Sequence, residues 1–258
     1  KIQAAPSVAD IDGEKVIFFG SNDNSFYAIN SDGSLRFTVP TGYQVQSSPS
    51  FLEYNEETYI FFGSNDDMIY AVNGDGGALS GWPIAVNGTI GGSVLFSDLD
   101  GDSDPEVVAV TDMGYVLAFH LDGSYVNYFP IVNEFPFSGS PMITQLDNDG
   151  DLEIIAGSGS NIFVVDIKEL GSAENYWNIY RGNEKRNGYY VPGDDTECGV
   201  DLGDVTGDGN INILDLVQIS NYILNVSIPA YACAADFTDD GNVNILDLVQ
   251  IANFILDN

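Results

Sequence analysis

Residues 16–20 read Val-Ile-Phe-Phe-Gly and residues 26–29 read Phe-Tyr-Ala-Ile. The pair returns as Tyr59-Ile-Phe-Phe-Gly63 with Ile69-Tyr-Ala-Val72. It returns again as Val107-Val-Ala-Val110 with Tyr115-Val-Leu-Ala118, and as Ile154-Ile-Ala-Gly157 with Ile162-Phe-Val-Val165. Short apolar runs rich in β-branched and aromatic residues, bounded by Gly, Asn and Asp, read as strands packed on both faces. A further short strand precedes each pair, at Pro6-Ser-Val8, Pro49-Ser-Phe51, Gly92-Ser-Val94 and Ser140-Pro-Met142. In three units an Asp-Gly turn (32–33, 75–76, 122–123) leads to a fourth, outer strand, because both residues tolerate the positive φ of a tight hairpin.

Up to four short strands at a period of about 43–49 residues predict a mainly β fold of β-propeller blades. Four blades are visible, and the chain starts on an innermost strand with no outer strand supplied in advance. It therefore reads as part of a larger propeller, the alternative being a complete small or open array. The strand, D-x-D-x-D loop and strand of the third unit resembles the repeats of FG-GAP and VCBS-type propellers. The stretch Trp177-Asn-Ile-Tyr-Arg181 to Arg186-Asn-Gly188 is similar to the segment that ends many of them. The blades are assigned to residues 1–192, a polar linker to 193–197, and a separate module to 198–258, where no Lys or Arg occurs.

That module is an internal duplication. Gly209–Leu224 recurs as Gly241–Leu256 with 13 of 16 positions identical. Each copy opens with a twelve-residue loop whose positions 1, 3, 5, 7, 9 and 12 are Asp204, Thr206, Asp208, Asn210, Asn212 and Asp215. In the second copy they are Asp236, Thr238, Asp240, Asn242, Asn244 and Asp247. Calcium takes six to eight hard oxygen ligands, and a tightly wound loop turns alternate side chains inward. Glycine stands at the sharp sixth position in both (Gly209, Gly241). The pattern predicts two Ca2+ ions here. Each loop runs into a helix with apolar residues at Leu216, Val217, Ile219, Ile223 and Leu224, or at Leu248, Val249, Ile251, Ile255 and Leu256.

With Asp at position 12 and no helix matched before either loop, the module resembles a type I dockerin. The resemblance implies a small all-α calcium-binding fold and a cohesin-type protein partner, met by loop positions 10–11 and the helix. Those positions hold Ile213-Leu214 and Ile245-Leu246, where many dockerins carry hydroxyl residues. The apolar pairs are expected to dock on a cohesin-like partner or another propeller. The alternative is that they pack on the chain's own blades. Cys198 and Cys233 stand six and three residues before the two loops. They form either one disulfide in an oxidising compartment or two buried thiols.

Acidic residues outnumber basic ones 39 to 7, a net charge of −32. That field argues against nucleic acid, whose phosphates need Lys and Arg, and against anionic membrane surfaces. It suits cations, or simply a salty habitat. No apolar run reaches a membrane span. The first residues lack a signal peptide's pattern, so an export signal is expected to be removed or to lie outside this chain. In the third blade Asp98, Asp100, Asp102 and Glu106, with the carbonyl of Asp104, form a further candidate calcium loop. In the fourth the aligned residues are Gln145, Asp147, Asp149, Asp151 and Glu153, a weaker site for its neutral glutamine. One or two more Ca2+ ions are expected there. Blades one and two (Asp10, Asp12; Glu53, Asn55) read as plain turns. His120, the only histidine, is assigned a structural role. Arg181, Lys185 and Arg186 read as anchors of the last blade or as an anion site, and the aromatics as core, with glycan stacking left open. With no nucleophile–base pair in view, the chain is read as a non-catalytic, secreted or surface protein. The alternatives are the C-terminal part of a polysaccharide-degrading lyase or hydrolase, and a filament or adhesin subunit.

Overall fold

The computed structural model describes residues 1–258 except 56, 148, 184–185, 193–199, 225, 227–228, 239–242 and 258; the side chains of 233 and 257 are also outside the description. The chain divides into two compact units, Lys1–Gly193 and Asp194–Asn258. The assigned linker 193–197 lies outside the described residues.

Among the described residues the first unit is built of four sheets taken in chain order, antiparallel except for one late strand that joins sheet one in parallel. Sheet one holds β1 (Ser7–Ile11), β2 (Glu14–Ser21), β3 (Ser25–Asn30) and β4 (Leu35–Pro40). Sheet two holds β5 (Ser50–Tyr54), β6 (Glu57–Ser64), β7 (Met68–Asn73) and β8 (Ile84–Ala85). Sheet three holds β9 (Leu95–Ser97), β10 (Glu106–Val110), β11 (Tyr115–Phe119) and β12 (Ile131–Val132). Sheet four holds β13 (Met142–Thr144), β14 (Asp151–Gly157) and β15 (Ile162–Leu170). Each Val-Ile-Phe-Phe-type run is the second strand of its sheet, and each Tyr-Ala-type run the third. The first hairpins of sheets one and two turn on Asp12 (φ 56°) and Asn55 (φ 53°), the plain turns expected there.

Sheets pack face to face through aromatic rings. Phe26 stacks on Phe62 of the next sheet with centroids 3.9 Å apart, and Phe61 meets Phe96 of the third edge-on at 4.9 Å. The tight fit explains the repeated glycine after the Phe-Phe pair: a Cβ on Gly20 would run into Val45, and one on Gly63 into Ile90.

After β15 the chain turns back through the middle of the unit. Ser172 exchanges two backbone hydrogen bonds with Asp98, and the Trp177 carbonyl accepts from Phe96 N–H at the inner edge of sheet three. The Asn178 carbonyl accepts from Ile143 N–H of sheet four. Trp177 and Tyr190 both pack on Phe51 of sheet two. A last strand, β16 (Tyr189–Tyr190), pairs in parallel with β1, Val8 opposite Tyr189. Arg181 fastens this segment by donating to the carbonyls of Pro6, Arg186 and Asn187 at 2.9, 2.7 and 2.7 Å. One segment of about twenty residues thus touches the innermost strand of all four sheets.

The second unit contains α1 (Ile213–Ile223) and α2 (Ile245–Asp257). They pack around Val205, Ile219, Ala234, Ala235 and Ile251, with Leu216, Ile223, Leu248 and Ile255 alongside. The expected apolar helix face is narrower than the sequence suggests, since Val217, Leu224, Val249 and Leu256 are exposed. A short 3₁₀ turn, Ala232–Ala235, precedes the second loop where no helical segment was expected.

Candidate metal sites and docking face

The first twelve-residue loop is wound around Asp204. Its carboxylate accepts from the N–H groups of Gly207 (2.8 Å), Asp208 (3.2 Å) and Gly209 (2.8 Å). Gly207 and Gly209 both adopt positive φ, 71° and 80°, which residues with a Cβ rarely take. Asp215 closes the loop from the first turn of α1. Its Oδ1 accepts from Thr206 N–H and Thr206 Oγ1, at 3.0 and 2.9 Å, and its Oδ2 from Asn212 N–H at 2.9 Å. Asn212 in turn caps the helix by accepting from Leu214 N–H at 2.8 Å. The position-12 carboxylate therefore serves as loop clasp and as half of a capping box. Asp208 accepts from Asn210 N–H, and the Asn210 carbonyl accepts from Asn212 Nδ2.

The second loop repeats this in its described part. Asp247 Oδ1 accepts from Thr238 N–H and Oγ1 at 2.9 and 2.8 Å, and Oδ2 from Asn244 N–H at 2.8 Å. Thr238 Oγ1 also reaches Asp236 Oδ1 at 3.4 Å. Asp240 and Asn242, with Gly241 between them, lie outside the described residues. So do Cys198 and the side chain of Cys233.

Asp204, Asp215 and Asp247 are buried. Burial by itself pushes the Asp204 carboxyl up, but the N–H groups of Gly209, Asp208 and Gly207 outweigh it and hold the group below the usual carboxylate range. Asp247 is likewise pushed up by burial and held low by N–H groups of Asn244 and Thr238. Both stay ionised, and the sequence of this unit contains no Lys, Arg or His to neutralise them. Buried charge without a counter-charge is expensive. A hard divalent cation is the partner this donor set fits; in the first loop Asp204, Thr206, Asp208, Asn210, Asn212 and Asp215 are the residues that would hold it.

Beside each clasp the apolar pair faces outward. Ile213 and Leu214 are 61% and 59% exposed, Ile245 and Leu246 63% and 57%. With exposed Val217 and Val249 one turn on, each copy presents the same apolar patch. Neither pair is sealed in the module's own core.

The first unit carries two acidic clusters, each in the loop between an innermost strand and the next. In sheet three, carboxylate oxygens of Asp98, Asp100 and Asp102 lie within 4.8 Å of one another, as do ligand atoms of Asp100, Glu106 and His120. Glu106 is buried and accepts from Leu99 N–H at 2.7 Å. Burial pushes its pKa up to about 7, against the Leu99 N–H and with Asp100 adding to the rise. Asp104 stays exposed, its N–H on Asp102. His120 was given only a structural role from sequence, yet its Nδ1 stands 3.2 Å from Glu106 Oε1. The register that pairs Val107 with Phe119 carries Glu106 and His120 to facing positions, so strand pairing was the signal for it.

In sheet four, Asp147, Asp149, Asp151 and Glu153 bring ligand oxygens within 4.8 Å, and Gln145 stands half-buried at the first place. Glu153 accepts from Leu146 N–H, the counterpart of the Leu99 bond. Buried Asp151 Oδ1 and Glu153 Oε1 have no hydrogen-bond partner among the described residues. Where the third-sheet cluster has His120, this one has a lysine in reach: Lys168 Nζ, 2.5 Å from Asp166, lies 3.8 Å from Asp149 and 3.6 Å from Asp151.

Residues 202–256 match the family of dockerin type I domains. Dockerin type I domains bind calcium, and their protein partners are cohesins. Among solved structures the chain is similar to BamB from Moraxella catarrhalis, at 19% identity and a TM-score of 0.44 over 64% of this chain and 47% of that one. It is similar also to BBS1N in complex with ARL6DN, at 14% identity and a TM-score of 0.43 over 60% and 47%. The chain thus spans about half the length of these structures. No curated protein matches it.

Proposed function

We propose that this is a non-catalytic extracellular attachment protein. Two Ca2+ ions, one held at 204–215 and one at 236–247, complete the C-terminal module, which then docks the sheet-built unit onto a cohesin-type partner. The observation that carries this reading is the contrast repeated in both copies: a fully buried clasp, Asp215 or Asp247, beside an exposed apolar pair. Free energy from cation binding goes into ordering the loop, and the ordered loop is what holds the pair outward at the start of each helix.

One further Ca2+ is assigned to Asp98, Asp100, Asp102 and Glu106, with a weaker site at Asp147, Asp149, Asp151 and Glu153. Cys198 and Cys233 are assigned to one disulfide, which non-reducing mass mapping tests by the absence of two free thiols. The reading as a whole is tested by titrating the full chain onto an immobilised type I cohesin with calcium and with chelator. Calcium-dependent binding supports it; equal binding in both, or none in either, removes it.

A further inference from the structure

At the upstream ends of the innermost strands, away from the two acidic loops, the approach segments of all four sheets and the turn of the crossing segment surround a cavity of about 610 Å3. The size is that of a small-molecule site. Its wall differs from the rest of the molecule. Acidic residues outnumber basic ones 39 to 7 in the chain, yet no carboxylate is among the described residues lining the cavity, and the one charged group there is Arg186.

Two arginines flank this turn and do different things. Arg181 is consumed by three backbone carbonyls. Arg186 is exposed, and its guanidinium has no ion pair or hydrogen bond with any described residue. Ser93 Oγ donates to the Ser48 carbonyl and Gln46 Nε2 to Gln3, Asn22 and Gln44, whereas three other hydroxyls of the wall keep protons to give. Ser48 Oγ accepts from Ala5 N–H and Ser140 Oγ from Ser93 N–H, and neither hydroxyl donates to a described group. The Tyr180 hydroxyl also has no described partner. Met142 and Ile179 supply an apolar strip beside them.

Two glycines add an independent observation. Gly91 and Gly139 occupy matching places in the segments before sheets three and four, outside the left-handed region, and a Cβ on either would meet nothing within 4 Å. Neither a turn nor packing calls for glycine there, in contrast to Gly20 and Gly63. What a side chain would occupy is the cavity.

We propose that this cavity binds a sugar acid of one or two residues: its carboxylate paired with the Arg186 guanidinium, its hydroxyls accepting from Ser48, Ser140 and Tyr180, and its C–H face against Met142 and Ile179. A guanidinium fits a carboxylate as a two-pronged donor, and the mixed hydroxyl and apolar wall matches a pyranose ring. The site is independent of the calcium loops and of the docking module.

The test is calorimetric titration of the full chain, in calcium, with galacturonic acid and digalacturonate, against galactose and acetate. Binding of the sugar acids with little response to galactose or acetate is the expected result. Arg186→Gln, at an exposed position, is expected to weaken sugar-acid binding roughly tenfold or more, and Gly139→Val to abolish it, each with an unchanged circular dichroism spectrum. No sugar-acid binding by the parent chain overturns the proposal. So does equal affinity for galactose, and so does binding indifferent to both substitutions.

Discussion

The indole of Trp177 meets the ring of Phe51 edge-on, centroids 5.2 Å apart and planes at 81°. Phe51 belongs to the second sheet, whereas the Trp177 carbonyl is bound by Phe96 of the third, so one residue ties two sheets to the crossing segment. Trp177 is buried, and its Nε1 has no hydrogen-bond partner among the described residues. Its contribution is therefore packing, through a T-shaped aromatic contact of the favourable kind.

Trp177→Ala is accordingly expected to destabilise the first unit by about 3–5 kcal/mol, the usual cost of emptying an aromatic site. Trp177→Phe, which keeps a ring and removes an unpartnered N–H, is expected to cost far less. Urea denaturation followed by circular dichroism separates the two. Equal losses in both variants would mean that the indole nitrogen matters after all.

Calcium removal is expected to unfold the C-terminal unit selectively. A ligand at a hundredfold excess over its Kd adds about 2.7 kcal/mol per site, and a small core around Val205, Ile219 and Ile251 has little to spare. Hydrogen exchange of the full chain with chelator should show protection lost across α1 and α2 while β2, β3, β6 and β7 keep theirs. Retained protection in α1 would contradict the assignment of a cation to Asp204 and Asp215.

Replacing Ile213 with Ser and Leu214 with Thr, together with the same change at Ile245 and Leu246, is expected to leave calcium affinity nearly unchanged, because none of the four side chains bonds to a loop carboxylate. Cohesin affinity should fall by about 2 kcal/mol or more, the scale of an interface hot spot. Changing one pair at a time assigns the loss to one copy or to both. Loss of calcium binding in parallel would show that the pairs hold the loops rather than the partner.

Lys168→Gln is expected to raise the calcium affinity of the sheet-four cluster and leave that of sheet three unchanged. Lys168 lies within ion-pair reach of Asp149 and Asp151, and a tethered ammonium opposes an arriving cation. Terbium luminescence in the Lys168→Gln and Asp102→Asn variants distinguishes the two clusters. An unaltered sheet-four affinity would show that the exposed lysine is screened by solvent.

The repeating strands and the winding of the first twelve-residue loop were legible because each rests on local chemistry: alternation, an Asp-Gly turn, or oxygens at every second place. The pairing of Glu106 with His120 was not, since 14 residues separate them and only strand register brings them together. The path of residues 171–190 was hidden for a related reason. Most of its contacts are backbone hydrogen bonds, to the innermost strands of sheets one, three and four, and backbone groups are alike in every sequence. The outward-facing Val217 and Val249 could not be told from the inward apolar residues of the same helices, because an apolar residue beside a buried stripe carries no mark of which neighbours it will find.

The parallel pairing of β16 with β1 has a mechanical side. Traction applied between the start of β1 at Ser7 and the chain beyond Tyr190 pulls the two strands along their lengths in opposite directions. Their bonds, with the Val8 N–H to Gly188 carbonyl link at 2.7 Å and the Arg181 clamp on Pro6, are then loaded together in shear rather than peeled one by one. Resistance to forced unfolding is set by the rate of that first rupture, so a protein tethered at its C-terminal end would take strain across a joint oriented to bear it.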